Sequence, residues 1–423
     1  MKLVRDNLEY RKNELYISGF SVSHLAEKYG TPLYVTDGNM VINNFEKIKN
    51  FITSITKNNL IAYAYKANYI SAITKLLASL GSGATVVSAY GIKKALDSGV
   101  KGEDIIIVGP SKSQEDLKAA IESGALINIE SEEELADLKR LSMHKKVRIG
   151  IRINPNIEAG GNEKIRTGTM IHKFGVSPDE GIRLFNKASK MDGIIPYAFH
   201  THIGSQILST GPYLEEVKVL SEISARVRKE FNLCVEALDL GGGFGIPYNQ
   251  NDNKFDYDKL SEEIKGAIES HFKVGEEPKI IIEPGRAIVG DSTILLTKIN
   301  YTKKLYDTNW LLVDAGMNDF MRPALFSAIH TIIPVKKTNR KITKYSVGGP
   351  VCVSSDVFVN DLKINLQRKD EYLAILDTGA YGISMASNYN TRPIPRNIFL
   401  LNKEITIVRE KDSYNDIFRN EYY

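Results

Sequence analysis

Eight short apolar runs constrain this chain more than any other feature. They lie near residues 60–65, 84–87, 105–108, 126–129, 147–153, 194–199, 235–240 and 279–283. Between several of them stand segments with helical spacing: Ile73–Leu80, Gln114–Glu122, Glu132–Leu141 and Tyr213–Lys229. Strands alternating with helices predict a parallel sheet, because a parallel crossover usually runs through a helix. Eight such units match the number that closes a (β/α)8 barrel, and a span of about 220–250 residues suits one. No Gly-rich dinucleotide turn follows the first run, which argues against an open doubly wound sheet.

Beyond residue 290 the rhythm changes. Ser292–Ile299, Trp310–Val313, Lys344–Val347 and Tyr372–Leu376 are β-rich runs separated by turns, and they predict an all-β domain. A chain of 423 residues is long enough for both. The expected division is a barrel over 31–288 and a β-domain built from 1–30 plus 289–423. Leu15-Tyr16-Ile17 joins the β-domain because chain termini often lie close together. Leu33-Tyr34-Val35, after the turn Gly30-Thr31-Pro32, is read as a strand, followed by a helix around 39–54.

Composition narrows the class. The net charge of +4 is spread along the chain, which argues against nucleic-acid or membrane partners. No apolar run approaches the roughly 20 residues that span a bilayer. The N-terminus lacks a signal peptide's apolar core, and only Cys234 and Cys352 occur. There is no disulfide framework and no Cys-rich metal pattern. A cytoplasmic enzyme without a metal is expected.

Barrel enzymes carry their chemistry at the C-terminal ends of the strands. Run one, Ile61-Ala-Tyr-Ala-Tyr65, ends in Lys66. Run six ends in His200-Thr-His202-Ile-Gly-Ser205-Gln206, run seven in Gly241-Gly-Gly243-Phe-Gly245, and run eight in Glu283-Pro-Gly285-Arg286. For an isolated strand, a terminal lysine reaching to solvent is the commoner outcome. Here polar and Gly-rich groups collect on one rim. The glycine amides suit an anion, and phosphate sites in this fold form after strands seven and eight. Lysine forms Schiff bases with carbonyls. A lysine, a phosphate cradle with Ser205, an imidazole at His202 and a carboxylate at Glu283 are what pyridoxal phosphate requires, the carboxylate pairing with the pyridine nitrogen.

Those residues also carry a resemblance. Tyr63-Ala-Tyr-Lys66-Ala-Asn68, His202-Ile-Gly-Ser-Gln206, Gly241-Gly-Gly-Phe-Gly245, Glu283-Pro-Gly-Arg286, Asp314-Ala-Gly-Met-Asn-Asp319, Met321-Arg-Pro-Ala324, Gly349-Pro-Val-Cys352 and Gly379-Ala-Tyr-Gly382 stand in this chain. With them, the stretch from about Tyr34 to Arg396 resembles the fold-type III pyridoxal-phosphate decarboxylases, the diaminopimelate decarboxylase family above all. The resemblance implies an alanine-racemase-like (β/α)8 barrel, a C-terminal β-sandwich or barrel domain, and a homodimer with shared active sites. It implies that Lys66 binds the cofactor's aldehyde and His202 stacks on its ring, with Ser205, Gly243, Glu283, Gly285, Arg286 and Tyr381 holding it. Arg286 and Arg322 would bind a distal carboxylate, with Phe326, Val353 and Tyr381 also around the substrate. Cys352 would enter from the partner as general acid. The implied reaction converts meso-diaminopimelate to L-lysine and carbon dioxide.

Four positions depart from the family pattern. Val353 stands where an acid usually reads the distal amine, and Phe326 where a tyrosine is usual. Thr85 and Gly91 replace two acids upstream. A pocket that pairs a polar substrate group discriminates strongly against analogues lacking it. These departures therefore raise an alternative, decarboxylation of an amino acid or conjugate with a distal anion but no distal amine. A cofactor-binding homologue with reduced activity is a further alternative, against which the retained Lys66, His202 and Cys352 speak.

Overall fold

The computed structural model describes residues 5–143, 145–158, 172–249 and 251–422. Its eight parallel strands close in the order Asn59–Ala64, Gly83–Val86, Ile105–Ile107, Leu126–Ile129, Val147–Arg152, Ile194–His200, Ala237–Asp239 and Lys279–Ile282, the last returning to the first. Every expected run is a barrel strand. Leu60, Ala62, Ile106, Leu126, Ala198, Ala237 and Ile281 fill the interior. The alternate strand residues pack outward against the helices, where Ile73, Leu77, Leu117, Leu135, Leu138, Leu220 and Ile264 are buried. Burying each such side chain contributes about 1.5–3 kcal/mol.

Helix starts follow the sequence chemistry. Ser88, Ser113, Ser131 and Ser177 each accept a hydrogen bond from a first-turn amide, satisfying donors that the helix itself leaves open. Among the described residues, the barrel helices Ala89–Asp97, Pro178–Ser189 and Tyr257–His271 and the single turn Arg286–Val289 escape the spacing argument. The first of these packs so closely on its strand that a Cβ at Gly91 would stand 2.8 Å from Val86 Cβ.

The β-rich region forms a nine-stranded sheet around the long strand Thr293–Leu305. This strand pairs with Thr308–Val313, Tyr372–Ile375 and Leu33–Asp37. Leu33–Asp37 also pairs with Arg396–Leu401. This strand lies within the range expected for the barrel, yet it is hydrogen-bonded on both edges into the other sheet and buried throughout. Leu15 and Ile17 pack with Leu33, Val35, Ile294, Leu296 and Leu400 in that region's own core. Leu15 N donates to Val335 O at 2.9 Å, so the N-terminal hairpin is part of this region.

Candidate active site

The C-terminal strand ends surround a cavity of about 500 Å³. Lys66, His202, Ser205, Arg286, Arg322, Phe326 and Tyr381 line it together. Lys66 sits on the turn after the first barrel strand, flanked by the buried Tyr65 and Ala67. That turn is held from the β-rich region. Tyr381 N and Ser384 Oγ donate to Ala67 O at 2.8 and 3.0 Å, and Asn68 Nδ2 donates to Gly379 O at 3.0 Å. Tyr381 itself has a positive φ of 57° and lies over the Arg286 guanidinium at 5.0 Å.

The glycine loop sets the imidazole. Gly242 N donates to His202 Nδ1 at 3.1 Å, which leaves the ring proton on Nε2. Burial, then the charges of Lys66 and Arg152, hold His202 well below the usual histidine range. Gly243 has φ +97°, and a Cβ there would come within 2.5 Å of Gly204 O. A Cβ at Gly285 would approach Ala67 Cβ to 2.9 Å. Both positions demand glycine, one for its conformation and one for space.

Below the rim lies a buried cluster of His200, Asp239 and Glu283. Asp239 accepts from Asn128 Nδ2 at 3.2 Å and from Gly241 N at 3.0 Å. Burial and the neighbouring Glu283 push Asp239 well above the carboxylate range. Burial alone would raise Glu283 too, but the facing His200, with Lys66 and Arg152, outweighs it and holds Glu283 below its ordinary value. One oxygen of Glu283, Oε1, is buried with no hydrogen-bond partner.

At the opposite wall two buried guanidiniums meet. Arg286 Nη1 and Arg322 Nη1 both donate to the Tyr248 hydroxyl, the latter at 2.7 Å. Arg286 Nη2 donates to Ser205 Oγ at 2.9 Å. His330 Nδ1 donates to Leu376 O at 2.9 Å, so its Nε2 accepts from Arg322 at 2.8 Å. Burial and the neighbouring Arg286 lower Arg322 from its ordinary value. Neither arginine makes an ion pair among the described residues. Tyr248 and His330 were not singled out from the sequence. Proximity to Gly241–Gly245 and to Met321–Ala324 was the only signal for them.

Cys352 and Val353 stand apart. Cys352 is exposed, its N–H donates to Asn390 Oδ1 at 2.7 Å, and neither residue lines this chain's cavity. Their loop is tied down by Asp356, which accepts from Met317 N and Val351 N at 2.7 Å each.

Residues 41–290 match the model of the pyridoxal-dependent decarboxylase family, pyridoxal binding domain. The diaminopimelate decarboxylase of Aquifex aeolicus is 37% identical over 97% of this chain and 96% of its own length. That of Methanocaldococcus jannaschii is 36% identical over 100% of this chain and 98% of its own. The chain belongs to the diaminopimelate decarboxylase family. A solved structure of the M. jannaschii enzyme covers 99% of this family member and 98% of the other chain, with a TM-score of 0.93 and 35% identity. A Helicobacter pylori diaminopimelate decarboxylase complexed with L-lysine matches with a TM-score of 0.87 and 36% identity, over 94% of this chain and 98% of its own.

Pyridoxal phosphate is the cofactor of this decarboxylase family, and the residues present fit it. The cavity holds a primary amine and an imidazole with a fixed tautomer. Glycines with no room for a Cβ stand at its rim, and beneath it Glu283 Oε1 is buried with no hydrogen-bond partner among the described residues. When bound, the pyridoxal ring withdraws electrons from a substrate's α-carbon, so that the α-carboxylate can leave as carbon dioxide.

Proposed function

We propose that this chain converts meso-diaminopimelate and a proton to L-lysine and carbon dioxide. The bond from the α-carbon to its carboxylate breaks, the electron pair stays on that carbon, and a proton takes the carboxylate's place. The observation that carries the reading is the placing of Lys66 in one cavity with two buried arginines that have no carboxylate partner among the described residues. Full-length likeness to enzymes named for this reaction supports it.

In this reading Lys66 binds the cofactor's aldehyde, His202 stacks on the ring, and Glu283 pairs with the ring nitrogen. Ser205, Gly243, Gly285, Arg286 and Tyr381 hold the cofactor, while Arg286 and Arg322 receive the distal carboxylate beside Phe326 and Tyr381. Cys352 and Val353 reach the site from the partner in a homodimer, Cys352 supplying the proton. A thiol is a competent donor near neutrality. The barrel takes the chain up to about residue 288, without the strand Leu33–Asp37 that belongs to the β-rich sheet. The β-rich region gives Arg322, Phe326 and Tyr381 to its own subunit's cavity and the Cys352 loop to the partner's. Among the described residues no helix is long and apolar enough to cross a membrane, and a cytoplasmic place of work fits that.

The test is carbon dioxide release from meso-diaminopimelate by the cofactor-loaded protein, together with subunit mixing. Lys66→Ala and Cys352→Ala should each be inactive alone. Mixed after dissociation, they should regain partial activity, because one site of the mixed dimer has both native residues. Release of no carbon dioxide by the wild type sinks the reaction, and failure of the mixture sinks the shared site.

A further inference from the structure

The charge of the cavity is one-sided. Lys66, Lys112, Arg152, Lys173, Arg286 and Arg322 all line it, and no aspartate or glutamate does among the described residues. Two of these cations are answered from behind the wall, Lys112 by Glu134 at 2.7 Å and Arg152 by Glu130 at 3.0 Å. Among the described residues Arg286 and Arg322 are answered only by neutral groups, Tyr248, Ser205 and His330. Arg286 Nε is buried with no hydrogen-bond partner among the described residues. Buried guanidiniums without a counter-ion await an anion.

A substrate ammonium entering the same space finds no carboxylate among the described residues that line it. Phe326, on the helix that begins at Arg322, offers a ring and no hydroxyl. Val353, the side chain that the shared-site arrangement would bring in, is apolar and 37% exposed on its own subunit. Its neighbours Ser354 and Ser355 are uncharged as well. The described walls therefore suit the carboxylates of a substrate and offer no charged partner to a second amine.

We infer that the enzyme also decarboxylates α-amino dicarboxylates that lack a distal amine, and that it barely distinguishes them from diaminopimelate. This rests on the decarboxylase reading above. α-Aminopimelate has the same chain length and the same distal carboxylate, which the Arg286–Arg322 pair binds in both cases. Its reaction balances in the same way: α-aminopimelate and a proton give ε-aminocaproate and carbon dioxide. A site whose buried polar groups need a partner rejects an analogue lacking it by roughly 10⁴-fold or more. A site without such groups cannot impose that penalty.

The experiment measures kcat/KM of the cofactor-loaded enzyme for meso-diaminopimelate and for both enantiomers of α-aminopimelate. Calorimetric binding of the same compounds to Lys66→Ala gives a readout free of turnover. The expected result is a ratio within about tenfold for the better enantiomer, in both turnover and binding. Val353→Glu should move the ratio toward diaminopimelate by tenfold or more. A wild-type preference for diaminopimelate above about 100-fold overturns the inference and leaves the decarboxylase reading intact. Turnover of α-aminopimelate alone overturns both the near-equality inferred here and diaminopimelate as the substrate. Turnover of neither, with the cofactor's visible absorption present, overturns the decarboxylase reading and the inference with it.

Discussion

His200 Nε2 stands 3.7 Å from Glu283 Oε2, with both side chains buried beneath the cavity. Burial and the neighbouring Glu283 push Asp239 up, whereas Glu283, the residue with the open oxygen, is held below its ordinary value by His200, Lys66 and Arg152 against its burial. Glu283→Gln should lower kcat by about 100-fold or more, as expected for a group acting at the reacting centre. His200→Asn should give a smaller loss, near tenfold, with little change in KM and an altered visible spectrum of the loaded enzyme. An unchanged spectrum and kcat in His200→Asn would mean that the contact is only packing.

Arg322 has no acidic partner among the described residues, so its removal should be felt in substrate binding. Hydrogen bonds to charged groups contribute about 1.5–3 kcal/mol, which corresponds to roughly 10–100-fold in kcat/KM. Arg322→Ala should raise KM by that factor and leave the cofactor's absorption in place. Michaelis curves at saturating pyridoxal phosphate check this, and an unchanged KM would remove Arg322 from the substrate site.

Asp319 gives a pH signature in stability. Burial pushes its carboxyl up to about 7. An unfolded aspartate titrates near 3.9, so between about 3.9 and 7 the folded chain holds a proton that the unfolded chain releases. The resulting stabilisation is fully present below about 3.9 and is lost as pH rises through 7. Asp319→Asn lacks this dependence. Relative to the wild type it should be more stable at pH 8 than at pH 5, as read from denaturant midpoints. Parallel curves for the two proteins would contradict the assignment.

Arg5 and Asp377 form a buried pair, Nη2 to Oδ2 at 2.8 Å, joining the N-terminal segment to the strand end after Ile375. Breaking a buried pair from one side strands the other charge and costs about 3–5 kcal/mol. Arg5→Ala should lose about that much in equilibrium unfolding, and a loss below ~1 kcal/mol would show the pair to be dispensable.

The barrel was legible because each of its strands is a short apolar run with a helix or loop between, a purely local pattern. Leu33–Asp37 is equally apolar, but its partners Thr293–Leu305 and Arg396–Leu401 lie more than 250 residues away, so nothing local says which sheet it joins. The helix Ala89–Asp97 was hidden because its fit against the strand depends on Gly91, which lowers helical propensity while permitting close packing. Lys66, His202 and Glu283 could be found at strand ends where the fold puts chemistry. Tyr248 and His330 act by bridging arginines from different segments, and such contacts leave no spacing in the sequence. The position of Cys352 outside its own cavity was expected from resemblance alone.

The three hydrogen bonds that reach from residues 379–384 to Ala67 and Asn68 make the two regions poor modules. A barrel expressed by itself would keep its strands and lose the brace that aims its lysine. Chimaeras that join this barrel to a relative's C-terminal half should work only where the 379–384 segment travels with the Lys66 turn. Recombination between homologues is thereby restricted to junctions that leave this brace whole.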